Sequence, residues 1–162
     1  NQNWALQVSH AFLSNPEILH PGDLHRSTAS ATFALPLEKG WFNATALWGL
    51  NKSAGHQGEH AALLEAAWQK RRLNLYTRYE FVEKSWEELD LDASVFGADA
   101  LFPVHAITLG SAYDVLRLKP ANLQLGAQFS WYQSSRRLDP LYGNHPMAVE
   151  IYLRLYPKLM QL

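Results

Sequence analysis

The chain predicts an all-β fold, an antiparallel up-and-down β-barrel of about eight strands, and three observations carry that prediction. Apolar and polar residues alternate one by one over stretches of about ten residues, which is the period of a strand rather than a helix. The links between these stretches are alternately short and long, so tight turns gather at one end and loops at the other. Aromatic residues make up 12% of the chain, with six Trp, and most lie inside the alternating stretches.

In chain order, the first segment runs from Trp4 to Phe12, with Trp4, Leu6, Val8, His10 and Phe12 opposed to Ala5, Gln7, Ser9 and Ala11. Residues 26–35 set Ala29, Ala31, Phe33 and Leu35 against Arg26, Thr28, Ser30 and Thr32. Residues 41–50 set Phe42, Ala44, Ala46, Trp48 and Leu50 against Asn43, Thr45 and Gly49. The segment 61–70 is rich in helix formers, but it alternates Leu64, Ala66 and Trp68 with Glu65 and Gln69 and is assigned to a strand because its neighbours are strands. Leu73, Leu75, Thr77, Tyr79 and Phe81 oppose Asn74, Tyr76, Arg78 and Glu80 in the fifth segment. Residues 103–114, 122–132 and 147–155 complete the set with the same alternation. The links "PLEKG", "RR" and "RLKPAN" after the second, fourth and sixth segments are short, and the remaining links read as roughly ten to twenty residues.

Composition narrows the function. The 162 residues read as a single domain, 1–162, with 14 Lys+Arg against 15 Asp+Glu, so no basic surface offers itself to nucleic acid. Charged residues are only 18%, below the ~25% of ordinary soluble domains. No apolar run approaches the ~20 residues of a spanning helix. Without cysteine there is no disulfide, thiolate metal site or Cys nucleophile.

The two faces of the predicted strands decide which solvent each meets. Every mid-strand charge falls on the polar face: Glu65, Arg78, Glu80, Asp114, Glu150 and Arg154. The rest of that face is Ala, Ser, Thr, Gly, Gln and Asn, which suits a narrow lumen and not the Lys- and Glu-rich exterior of a soluble barrel. The apolar face is therefore predicted to meet lipid, where an Arg or Lys at mid-membrane costs ~2–4 kcal/mol. Strands of ~10 residues tilted ~45° span an apolar band of ~25 Å. Trp4, Phe12, Trp41, Trp48, Trp68, Tyr79, Phe81, Tyr113, Trp131 and Tyr156 fall near strand ends, where amphipathic rings favour the membrane–water boundary.

Several stretches carry a family resemblance: "NWALQVSHAFLSNPE" (Asn3 to Glu17), "HRSTASATF" (His25 to Phe33), "LWGLNK" (Leu47 to Lys52), "RYEFVEKSWEEL" (Arg78 to Leu89) and "LDPLYGNHP" (Leu138 to Pro146). Together they resemble the C-terminal part of a family of uncharacterised bacterial outer-membrane β-barrel proteins. The resemblance covers most of the chain in order and implies location and fold; it brings no activity. Members of that family are longer, with a signal peptide and an upstream barrel portion, so the resemblance implies a C-terminal fragment of a longer barrel. Such barrels end on an aromatic residue that the barrel-assembly machinery reads, whereas here Pro157 and "KLMQL" follow Tyr156.

Candidate chemistry is sparse. Arg78 and Glu80, and Glu150 and Arg154, lie on the lumen face at spacings that let opposite charges pair as a structural plug or line a pore and tune ion preference, the plug being the simpler reading. His20, His25, His56, His60 and His145 fall in the predicted long loops. His56 and His60, with Glu59, would share a helix face and hold a metal if "HQGEH" were helical, but Gly58 opposes the helix and the order is not that of a zinc hydrolase; they are weak candidates, and no metal or other cofactor is assigned. Ser27 or Ser53 could serve as a nucleophile, but no Gly-x-Ser-x-Gly element accompanies them. Pro16, Pro21, Pro140 and Pro146, with Gly22 and Gly143, shape loops. The expected function is a bacterial outer-membrane β-barrel, porin-like or structural, with outer-membrane lipid and the assembly machinery as partners. The alternatives are an outer-membrane enzyme with a site at the loop end and a soluble, lipocalin-like ligand-binding barrel.

Overall fold

A computed structural model describes residues 2–16, 22–97, 99–118 and 120–157. Eight strands follow one another: β1 (Trp4–Leu13), β2 (Leu24–Leu37), β3 (Gly40–Ser53), β4 (Glu59–Lys70), β5 (Leu73–Ser85), β6 (Leu101–Arg117), β7 (Ala121–Ser134) and β8 (Met147–Pro157). Each pairs antiparallel with the next, in chain order, in one sheet.

The register keeps the alternation in phase from edge to edge. One row across the sheet reads Leu6, Ala31, Ala46, Leu64, Tyr79, Ile107, Trp131 and Met147. The adjacent row, on the opposite face, reads Ala5, Thr32, Thr45, Glu65, Arg78, Thr108, Ser130 and Ala148. A slip of one residue in any pair would exchange the faces, so the side-chain pattern itself pins the register. We call the apolar face outer and the polar face inner. Among the described residues nothing covers the outer face: Leu6 is 78% exposed, Val8 82% and Ile151 74%. The buried polar residues Asp114, Asn122, Gln124 and Ser130 all lie on the inner face.

Tight turns join β2 to β3 at Glu38–Lys39 and β4 to β5 at Arg71–Arg72, with Arg71 in the left-handed region at φ 57°. The two turns are tied together, since the Arg71 N–H donates to the Lys39 carbonyl at 2.8 Å. Gly40 is needed there because a Cβ would run into the Gln69 carbonyl. At the other end the described parts of the connections are 14–16 and 22–23, 54–58, 86–97 and 99–100, and 135–146. The link 54–58 is shorter than the sequence reading expects, because β3 continues to Ser53 and β4 begins at Glu59.

Two of these loops and the start of β6 build an apolar core. Leu91, Phe102 and Leu138 are buried together, with Trp86, Leu89 and Phe96 packed around them. A single helical turn, α1 (Ala93–Phe96), is capped by Asp92, whose carboxylate accepts from the Ser94 N–H at 2.8 Å and hydroxyl at 2.7 Å. Those bonds hold the Asp92 carboxyl below the usual carboxylate range. Arg137, in the 3₁₀ turn that leads into α2 (Asp139–Tyr142), lies 5.3 Å over the Phe96 ring and donates to the Phe96 carbonyl at 3.0 Å.

The sheet is open. β1 pairs only with β2 and β8 only with β7, so the closure of residues 4–12 on 147–155 that a free-standing eight-stranded barrel requires does not occur. The inner face carries Trp41, Tyr76, Tyr132 and Tyr152 besides the small residues, a bulk that suits a wider arc than the filled bore of eight strands.

Candidate functional site: the inner face

The inner face forms a half-open cavity of ≈ 570 Å³, lined by residues that include Thr32, Asn43, Thr45, Glu65, Tyr76, Arg78, Glu80, Thr108, Gln128 and Tyr132. Alternation along β4 and β5 points Glu65, Arg78 and Glu80 into it. Arg78 Nε lies 3.5 Å from Glu65 Oε2, and its Nη1 lies 3.9 Å from Glu80 Oε1. All three side chains are close to half exposed, so the contacts are screened and each contributes ~0–1 kcal/mol. One guanidinium serves two carboxylates, which leaves an uncompensated negative charge at the cavity wall.

A second group spans β5 to β8. Tyr76 stands opposite Gly110 and Tyr152 opposite Gly126, and each ring occupies the space that a Cβ on its glycine would need. The two hydroxyls meet at 3.1 Å, the Tyr76 hydroxyl donates to Gln128 Oε1 at 3.0 Å, and Gln128 Nε2 donates to Glu150 Oε2 at 3.1 Å. The Arg154 guanidinium lies 5.4 Å over the Tyr152 ring. Glu150 and Arg154 thus face inward as the sequence reading places them, but they bond to Gln128 and Tyr152.

The third group is the most buried. Asp114 is 1% exposed. Its Oδ2 accepts from Arg117 Nε at 3.0 Å and Nη2 at 2.7 Å. Its Oδ1 accepts from Gln124 Nε2 at 3.1 Å and from the Tyr156 hydroxyl at 2.8 Å. Asp114 was read as a charge lining the lumen; it is instead sealed in this cluster by its own partners. Residues three apart on a regular strand face opposite ways, and Arg117 reaches Asp114 only because the register shifts between Asp114 and Leu116, with Val115 as the extra residue of a β-bulge.

Sequence reasoning missed Arg117, Gln124, Tyr76, Gln128 and Tyr152 as members of these groups. The signal for the Tyr–Gly pairs is a glycine in register with a tyrosine on the next strand. The bulge has no such signal. Trp41 and Tyr156, read as boundary aromatics, lie in the inner rows.

The histidines divide differently from the sequence reading. His25 belongs to β2 and His60 to β4, while His56 stays in the 54–58 loop and His20 lies outside the described residues. His56 and His60 share no helix, and Trp48 Nε1 donates to His60 Nδ1 at 3.3 Å. Among the described residues no three His, Asp or Glu side chains come together as a metal site. Ser27 ends 2.9 Å from His10 Nδ1 on the outer face, and among the described residues no carboxylate orients that imidazole as a triad requires. No protein-family model, curated protein or solved structure matches this chain.

Proposed function

We propose that this chain forms a wall of a bacterial outer-membrane β-barrel, porin-like or structural, with its outer face in lipid and its inner face toward an aqueous lumen. The observation that carries the reading is the inverted polarity of the sheet: charged and hydrogen-bonded side chains gather on the inner face, and Leu, Val, Ile and Phe are left bare on the outer face across eight strands. An uncovered apolar area of this extent is a liability in water and a requirement in hydrocarbon. The outer face also has aromatic residues toward both ends: Trp48, Phe81 and Trp131 toward the loops, Trp68 and Tyr113 toward the turns. A soluble lipocalin-like barrel needs the opposite arrangement, since its apolar face must line the cavity.

The test is partition. Refolded chain should co-float with liposomes and require detergent for solubility. A folded, monodisperse species in detergent-free buffer refutes the membrane reading, and flux of small solutes from loaded liposomes separates a channel from a structural wall.

A further inference from the structure

The histidines are distributed unevenly in a way that the barrel reading leaves unexplained. His10, His25, His60 and His105 all project from the outer face, toward the loop end of their strands, and His145 stacks on the outer-face ring of Trp131 at 5.4 Å. Imidazoles gain nothing from hydrocarbon, and at the rim they stand at headgroup level.

They are densest at one corner. The His10 and His25 rings stack at 5.6 Å, His10 Nδ1 lies 2.9 Å from the Ser27 hydroxyl, and Phe12 packs on His25 at 5.1 Å. Lys52 stands directly across from His25 in the register, and His60 lies across from Leu50 in the neighbouring row. Among the described residues, Asp23 accepts the Ser14 hydroxyl at 2.9 Å, and Glu83 accepts the His60 backbone N–H at 2.8 Å. Arg26 faces the other side of the sheet, where it donates to Asn51 at 2.9 Å.

We infer that the outer-face corner formed by His10, His25, Ser27 and Lys52 docks the phosphate-bearing headgroup of an anionic lipid. The inference rests on the membrane reading above and assigns that surface its lipid partner. One fixed cation, two imidazoles and a hydroxyl donor meet the charge and the acceptor oxygens of a phosphodiester, while the apolar rows beside them meet the acyl chains.

The experiment is native mass spectrometry of the chain in micelles, offered phosphatidylglycerol and phosphatidylcholine in equal amounts. Retention should favour phosphatidylglycerol, by about fivefold for each cation held at the headgroup. Lys52→Gln should reduce the preference, and adding His10→Gln with His25→Gln should abolish it, with the circular dichroism spectrum unchanged. Equal retention of the two lipids by the wild type, or a preference that survives in the triple variant, overturns the assignment. So does displacement of the lipid by millimolar inorganic phosphate, which would mark a free-phosphate site. A chain that inserts without headgroup preference defeats this inference alone, whereas a chain that takes up no lipid defeats the membrane reading as well.

Discussion

Leu63 and Leu64 are identical neighbours on one strand that face opposite ways, so the same substitution at each isolates the environment of the two faces. Leu64 lies between Ala46 and Tyr79 in an outer row and is 54% exposed. Leu63 lies between Leu47 and Glu80 in an inner row and is partly buried. If the outer face meets hydrocarbon, Leu64→Arg places a guanidinium in the apolar band at a cost of ~2–4 kcal/mol. At about 1.36 kcal/mol per decade, that lowers the folded-to-unfolded ratio roughly 30- to 900-fold. Leu63→Arg puts the same group in the lumen beside Glu80, and its effect should stay within ~1 kcal/mol. The assay is a urea titration of folding into liposomes, followed by tryptophan fluorescence. Were the outer face in water, Leu64→Arg at an already exposed position would change stability by less than ~0.5 kcal/mol. Equal midpoint shifts for the two variants, or a harmless Leu64→Arg, refute the face assignment.

Three further outcomes are expected. Gly110→Ala drives a methyl into the Tyr76 ring and should cost ~1–3 kcal/mol in the same titration, with most of the loss relieved in a Tyr76→Ala background. Asp114→Asn leaves Arg117 without its charge partner in a buried cluster and should lower stability by ~1.5–3 kcal/mol, whereas Glu65→Gln at the half-exposed cavity wall should be nearly silent; comparing the two urea midpoints checks this. Calorimetry should find no stoichiometric sub-micromolar Zn²⁺ site, and a His56→Ala, His60→Ala double variant should leave the trace unchanged, because a loop imidazole and one packed on Trp48 share no ligand geometry.

The eight elements are legible in the sequence because each strand sets apolar residues on one face against small and polar residues on the other, which writes a period of two into about ten residues at a time. The six charges read as inward-facing lie on the inner face for the same reason. What was illegible depends on contacts between distant strands or on a break in the period. The bulge at Val115 moves Arg117 onto the face of Asp114, and alternation counted from either end assigns one of them wrongly. Gln124 looks in the sequence like any other polar residue of its strand, yet it is buried against Asp114. The core of Leu91, Phe102 and Leu138 joins two loops to the start of β6, and the apolar loop residues have no period, so nothing local announces it. His25 and His60 were placed in loops because polar residues at strand ends break the alternation that marks the strand.

Every pairing in the sheet joins strands that are consecutive in the chain, and this makes its assembly incremental. Forming β2 against β3 or β4 against β5 closes a two-residue turn, and lengthening a closure costs only about 0.6 kcal/mol per doubling. No strand waits for a distant segment to arrive, in contrast to a Greek key, where the fourth strand must return to lie beside the first. Truncation at either edge should therefore shorten the sheet and leave the remaining registers intact. The same logic runs outward: the free edges of β1 and β8 present the antiparallel template that each interior strand already used, so the number of strands is a variable of this architecture and not a property of its register.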